Sequence, residues 1–259
     1  MFEQKIAIVT GGASGIGRAT TAQLAREGAT VIIADINEEA GAASAEALGA
    51  HFIACDMADP AQVRAMAGRV IEQFGGVDIL INNAADLSLL ARDDDLLNGD
   101  EAVWEETFRA DQLSVMVASA ACLPAMIGRS GGAIVNVTSV DGIKGDDTRF
   151  GYAMAKAAVN MLTEMIATRY GKQGIRCNAV APGLVLTPPA QAGLTGPVRQ
   201  IFRDHALTPE EGATPEQAAE LICFLASDKT PFLTGEIIRL DGGLLAHVPQ
   251  WAAFRALSN

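Results

Sequence analysis

The chain of 259 residues is poor in aromatics (5%), in histidine and in cysteine, and its charge leans heavily to one sign. Four cysteines, Cys55, Cys122, Cys177 and Cys223, are widely spaced with no CxxC pair, which excludes a disulfide framework or zinc-ribbon spacing and fits small buried thiols in a reducing compartment. His51, His205 and His247 stand far apart and form no metal-ligand spacing, so no metal is expected. With 31 acidic against 19 basic residues and a net charge of −12, nucleic acid and anionic membrane surfaces are excluded as partners. The longest nearly apolar run, Val115 to Ile127, is too short to span a bilayer and contains Pro124. No signal peptide is visible, since Met1 to Lys5 leads straight into a strand pattern, and a cytoplasmic protein is expected. No linker, composition break, solenoid repeat or low-complexity segment divides residues 1–259, so a single domain is expected.

What the chain has is glycine (26 residues) and apolar side chains (49%) in alternating short runs. Strands are expected at Lys5–Thr10, Thr30–Ala34, His51–Cys55, Val77–Ile81, Gly132–Thr138, Ile175–Val180 and Glu236–Leu240. Between them lie helical patterns over Arg18–Glu27, Glu38–Leu48, Pro60–Phe74, Ala102–Ile127, Gly151–Tyr170 and Pro215–Ala226. A polar loop with the acidic run Asp93, Asp94 and Asp95 precedes the fourth of these, and a Pro- and Gly-rich loop follows Pro182. Apolar strands alternating with helices give an α/β fold: a Rossmann-like, doubly wound parallel sheet covered on both faces.

The stretch TGGASGIG (Thr10 to Gly17) sits between the first strand and the first helix. Glycines there let backbone approach a pyrophosphate, whose charge is favoured at a helix N-terminus. Asp35 ends the second strand, 24 residues after Gly11, where a carboxylate accepts hydrogen bonds from a ribose and repels a 2′-phosphate. No Arg or Lys stands beside it, which favours NAD over NADP; a turn or helix-cap residue is the other reading of Asp35.

Tyr152 and Lys156 are four apart, hence one helical turn from each other on one face. A phenol has an ordinary pKa near ~10, and bringing it to about 7 takes roughly 3 units, or ~4 kcal/mol. One positive charge at about 4 Å in a medium of effective dielectric ~20 supplies about that much. Lys156 is therefore a plausible activator of Tyr152, helped by any cationic cofactor. A YxxxK spacing alone also arises on any exposed helix, so its company decides.

That company is ordered: TGGASGIG at 10–17, Asp35, Asp56 after the third strand, NNAA at 82–85, Ser139, Tyr152-Ala-Met-Ala-Lys156, Pro182-Gly183-Leu184-Val185-Leu186-Thr187 and Leu240-Asp241-Gly242-Gly243. Over about residues 3 to 245 the chain resembles the short-chain dehydrogenase/reductase family, in its short form. The resemblance implies Tyr152 as general acid/base, Ser139 steadying the substrate oxygen, and Lys156 lowering the Tyr152 pKa while binding the nicotinamide ribose. It implies that Gly11, Ser14, Gly15, Ile16 and Gly17 cradle the cofactor and that Asp56 with Met57 holds the adenine. Asn82, Asn83 and Ala84 would lie along the cofactor, and Pro182, Gly183, Val185 and Thr187 would fix the carboxamide. The implied reaction is NAD-dependent interconversion of a secondary alcohol and a ketone.

Two departures stand out. Ala85 replaces the usual glycine after NNA, and the asparagine that family members carry on the helix after the fourth strand falls, counting from Trp104, on Asp111. Asp111 would partly neutralise Lys156, or accept the same hydrogen bonds as the amide oxygen, or face elsewhere. The expectation is a working relay with an alkaline-shifted optimum. Asp111 is also the one feature favouring a catalytically impaired NAD-binding regulatory or scaffold protein. An NADP-dependent carbonyl or 3-oxoacyl reductase is disfavoured by Asp35, and a nucleotide-sugar epimerase by the lack of GxxGxxG and of an added C-terminal substrate domain.

The loop at 186–213, with Leu184 before it and Leu186, Pro188, Pro189, Leu194, Ile201 and Phe202 within it, either covers a hydrophobic ligand or packs as a lid helix on the domain. A neutral, moderately hydrophobic alcohol or ketone, cyclic or steroid-like, is the expected substrate. The tail at 246–259 either wraps a neighbouring subunit or is disordered. By resemblance alone, a homo-oligomer (tetramer or dimer) joined through the helices at 102–127 and 151–170 is expected.

Overall fold

The computed structural model describes residues 1–257; the last two residues of the expected tail lie outside the described residues. Seven strands run in the order β3-β2-β1-β4-β5-β6-β7, all parallel: β1 Ile6–Thr10, β2 Thr30–Asp35, β3 His51–Ala54, β4 Ile79–Asn82, β5 Gly132–Val137, β6 Ile175–Pro182 and β7 Ile237–Leu240. The helices are α1 Gly15–Arg26, α2 Glu38–Leu48, α3 Pro60–Phe74, α4 Glu101–Phe108, α5 Ser114–Gly128, α6 Phe150–Tyr170, α7 Pro188–Gly193, α8 Gly196–His205, α9 Pro215–Ala226 and α10 Trp251–Ala256.

Strand alternation assigns the core to two faces. Ile6, Ile8, Ile32, Leu80 and Ile134 point to the side covered by α3 and α5, with Ile166 of α6. Ala7, Val9, Val31, Ile79, Ile81 and Val135 point to the other, under α1 and α9. The helix from Glu101 to Gly128 has the length and composition to cross a bilayer. Its apolarity has a local reason: Val117, Ala118, Cys122, Leu123 and Met126 pack into the first of these cores. All four thiols are free and buried, and burial pushes Cys122 and Cys177 up to about 12.

Strand order reverses between β1 and β4, because β2 and β3 build outward on one side and β5 to β7 on the other. In such sheets the crevice at the carboxyl ends of the strands flanking the reversal takes the ligand. Glycine shapes that end. Gly15 has φ +50°, and a Cβ on Gly17 would stand 2.1 Å from the Gly11 carbonyl oxygen, so the chain turns from β1 into α1 only without side chains there.

Three elements sharpen or alter the sequence expectation. The loop at 186–213 contains α7 and α8, started by Thr187 and Thr195 and a proline in each first turn. The long helix is interrupted by a π turn at Arg109–Leu113. The tail folds back on its own chain: the ring of His247 bonds the His205 carbonyl at the end of α8 (2.8 Å) and packs on Trp251.

The C-terminus of α9 is closed by one side chain from β6. Arg176 donates to the carbonyls of Leu225 (2.7 Å), Ala226 (3.2 Å) and Ser227 (2.9 Å) and to the Thr230 hydroxyl (2.9 Å). These are the carbonyls a helix end leaves without partners, facing a cation that complements the dipole. Arg176→Ala should cost about 2–4 kcal/mol; a urea midpoint equal to that of the parent protein would overturn this role.

Candidate active site

The residues singled out from sequence converge at the carboxyl edge of the sheet. Asn83 follows β4, and its side-chain amide donates to the carbonyls of Thr10 (3.0 Å) and Gly11 (3.1 Å), tying β4 to the glycine loop. The Thr10 hydroxyl accepts from the amides of Asn83 and Ala84. Asp35 accepts from the Ala13 amide (3.0 Å) and the Asn37 amide (3.0 Å), so one carboxylate at the end of β2 holds the loop and its own turn. Asp56, after β3, accepts from Ala58 (2.8 Å), and Met57 beside it is buried. Ser14, at the N-cap of α1, makes no side-chain cap bond. Thr187 stands over the glycine loop, its methyl 3.2 Å from where a Gly15 Cβ would be, while its hydroxyl caps α7. Val185 is buried and Pro182 and Gly183 end β6, pairing with β7 and Asp241.

Asn82 is placed otherwise than expected. It is 2% exposed inside the sheet, and its amide donates to Asn136 of β5 (2.9 Å) and Ser119 of α5 (3.3 Å). It cross-links β4 and β5 and does not line the crevice: its amide is bonded inside the packed sheet, whereas Asn83, the first residue beyond β4, is the one tied to the glycine loop. Asn136 continues the chain to Thr163 of α6 (2.8 Å), which fixes α6 on the sheet.

Ser139 lies just beyond β5 in extended conformation, with its hydroxyl accepting from the Asp141 amide (3.1 Å). The Ser139 hydroxyl lies near enough to the Tyr152 phenol to lower its pKa. The Lys156 ammonium lies 5.3 Å from the Tyr152 ring centre. Asp111 sits in the π turn, and its Oδ2 is 3.6 Å from Lys156 Nζ, both side chains essentially inaccessible to solvent. The other oxygen, Oδ1, accepts from the Asp86 amide (2.9 Å). Of the three readings of Asp111, the ion pair with Lys156 is the one realised. A π turn admits one extra residue to a helix turn, which swings residue 111 toward α6.

The electrostatics reverse one expectation. Burial raises the Tyr152 phenol above its ordinary range; Lys156 pulls it down, Asp111 and Asp141 push it up, and the nearby Ser139 hydroxyl lowers it slightly. The lysine does not carry the phenol toward neutrality, because burial outweighs its pull, with the Asp111 carboxylate adding to the opposition. Asp141 is itself shifted upward by burial, with Arg149 (3.5 Å) opposing.

One residue here escaped the sequence reading. Asp93 is not part of a solvated acidic loop but is 4% exposed, and its carboxylate accepts from the amides of Gly151 (3.0 Å) and Tyr152 (2.7 Å). The available signal was the missing cap: α6 begins after Arg149, which has no acceptor side chain and adopts φ +60°.

The crevice fits a dinucleotide: its floor is backbone that a Cβ would fill, the Ser14 hydroxyl is free of capping duty, and a carboxylate ends β2. Among the described residues no cluster suited to a metal ion occurs. Two cavities, about 300 Å³ under α8 and about 470 Å³ beside Asp94 and Asp100, are lined by other residues than the Ser139, Tyr152 and Lys156 group.

Comparison with known proteins agrees with this geometry. Residues 11–245 match the family model described as Enoyl-(Acyl carrier protein) reductase. The chain is 44% identical to a probable short-chain type dehydrogenase/reductase of Bradyrhizobium diazoefficiens, over 97% of this chain and 91% of that one. It is 39% identical to a 7alpha-hydroxysteroid dehydrogenase of Bacteroides fragilis, over 96% and 97%. Among solved structures, a 7 alpha-hydroxysteroid dehydrogenase complexed with NADH and 7-oxo glycochenodeoxycholic acid superposes with a TM-score of 0.88 at 28% identity, covering 93% of this chain and 94% of that one. With its parallel sheet, its glycine cradle and the Ser139, Tyr152 and Lys156 group at one edge, the chain belongs to the short-chain dehydrogenase/reductase family of oxidoreductases.

Proposed function

We propose that the protein is an NAD-dependent oxidoreductase interconverting a secondary alcohol and a ketone, with Tyr152 as general acid/base. The observation that carries this reading is the Lys156 ammonium 5.3 Å from the Tyr152 ring centre, one helical turn along α6 and at the same sheet edge as Ser139. A nicotinamide dinucleotide, when bound, supplies the hydride acceptor or donor and, oxidised, a positive ring charge. The chain's own residues do the rest. Gly11, Ser14, Gly15, Ile16 and Gly17 take the pyrophosphate at the start of α1, where helix dipole and free amides favour it. Asp56 and Met57 border the adenine, Asn83 and Ala84 the ribose side, and Pro182, Gly183, Val185 and Thr187 the carboxamide. Ser139 orients the substrate oxygen, and Tyr152 removes or returns its proton. Lys156 holds the nicotinamide ribose and opposes the burial penalty on the phenolate. Asp111 anchors Lys156 and moderates its charge.

NAD is preferred to NADP because the Asp35 carboxylate ends β2 beside the glycine loop and the residues after it are Ile36 and Asn37, not a cation that would receive a phosphate. The segment 186–213, with α7 and α8, closes over a neutral hydrophobic substrate; the hydroxysteroid names among the relatives support a cyclic or steroid-like alcohol. Exposed Met154, Met161 and Met165 along α6 and Met116 on α5 support a homo-oligomer, and the buried thiols support a cytoplasmic location. A catalytically impaired NAD-binding scaffold is the competing reading, favoured by Asp111. A panel of secondary alcohols with NAD, followed by nicotinamide absorbance, decides between them.

Tyr152→Phe should lower kcat by about 10²- to 10⁴-fold with NADH binding retained, as read by fluorescence titration; full turnover in this variant would end the acid/base assignment. Asp35→Ala should narrow the ratio of kcat/KM for NAD over NADP by about tenfold or more, equal to about 1.4 kcal/mol; an unchanged ratio would remove Asp35 from cofactor choice. Since Asp111 raises the Tyr152 pKa, Asp111→Asn should lower it and move the acid limb of the oxidation profile to lower pH. Superimposable pH–rate curves would sink this role for Asp111.

A further inference from the structure

The proposed chemistry requires the Tyr152 phenol to keep its place relative to Ser139 and Lys156, yet Tyr152 lies in the first turn of α6. First-turn amides have no partners within their own helix, and an uncapped first turn frays. The residue preceding α6, Arg149, brings no acceptor side chain, and its left-handed backbone is costly for a residue with a Cβ. Lys156 is one turn deeper, held by Asp111, and Ser139 is fixed to β5. Fraying would therefore move one member of the group and leave the other two.

Asp93, 58 residues earlier, supplies what the helix lacks. Its carbonyl accepts from the Arg149 amide (3.0 Å), which holds the left-handed residue. Its carboxylate bridges the next amides, Oδ1 to Gly151 (3.0 Å) and Oδ2 to Tyr152 (2.7 Å). Asp93 is anchored in turn by its own amide, which donates to the Leu89 carbonyl (3.0 Å) after the 3₁₀ turn Leu87–Ala91. Gly151 makes the approach possible: a Cβ there would stand 2.9 Å from the Trp104 ring and 3.3 Å from both Asp93 oxygens. The arrangement is a helix cap delivered from a different loop, with a carboxylate favoured at the positive helix end.

We propose that Asp93 is a positioning residue for the reaction: by capping α6 from the loop after β4 it holds the backbone of Tyr152, and so keeps the phenol registered on Ser139 and Lys156. This rests on the reading of Tyr152 as the acid/base. The action is geometric. The charges that bear on the phenol are Lys156, Asp111 and Asp141, whereas the Asp93 carboxylate is taken up by two backbone amides. The same loop follows Asn83 and Ala84, so the segment leaving the cofactor crevice also sets the helix that carries the proton donor.

The test uses the fact that the chain has two tyrosines, Tyr152 and Tyr170. In a Tyr170→Phe background the near-ultraviolet tyrosinate signal belongs to Tyr152 alone and needs no substrate. Asp93→Asn keeps shape and leaves one oxygen for two amides; Asp93→Ala removes both bonds. The expected results are amide exchange in the 149–156 segment at least about tenfold faster, and a Tyr152 titration moved down toward the ordinary phenol value as its burial relaxes. With an alcohol that the parent enzyme oxidises, kcat should fall on the order of 10²-fold, with the NADH dissociation constant unchanged within about twofold. Should Asp93→Ala fail to fold, the near-isosteric Asn variant carries the test. Exchange and titration equal to the parent overturn the proposal, as does a kcat loss no larger than the loss of folded protein seen by circular dichroism. Failure of the acid/base reading is seen separately, as retained turnover in Tyr152→Phe while exchange and titration still respond to Asp93.

Discussion

Parallel pairing of seven strands brings the carboxyl ends of β1, β4, β5 and β6 to one edge, and every feature of the site depends on that alignment. The register is fixed from inside. Asn82 and Asn136 bond across β4 and β5, and Asn136 reaches Thr163, so that the sheet and α6 are joined by buried polar contacts. Such bonds are costly to leave unmade in a low-dielectric interior, and this makes them selective for one arrangement. Ser139, delivered by β5, and Tyr152, delivered by α6, meet because those two elements cannot slide past each other.

Upon this frame sits a buried charge pair. Lys156 and Asp111 are both sealed from solvent at 3.6 Å, and the second carboxylate oxygen is held by the Asp86 amide. Burying a lone ammonium would be costly, and the carboxylate makes it tolerable at the expense of part of its field at the phenol. Stability of the lysine and activation of the tyrosine are thus opposed demands on one charge.

The chain resolves positional demands with contacts distant in sequence. Arg176 closes α9 from a strand, Asp93 closes α6 from a loop, and His247 fastens the tail to the end of α8. Local sequence shows only what each helix lacks. Arg149 before α6 reads as a missing cap, but nothing in the run Asp93 to Asp95 says which carboxylate fills it. Asn82 and Asn83 are similar cases: adjacent and identical, one is a core cross-link and the other a loop tether, and the end of β4 falls between them.

The sequence by itself determined the alternation of strands and helices, the glycine turn into α1, the carboxylate ending β2 and the Tyr152 to Lys156 spacing. These are local: each follows from periodicity, from backbone freedom at glycine or from a four-residue helical offset. Tertiary structure alone decided that Asp111 faces Lys156, that Tyr152 is raised and not lowered by its surroundings, and that Asp93 is buried. Each of those depends on which groups exclude water from one another across tens of residues of chain, and burial, unlike periodicity, is a property of the packed whole.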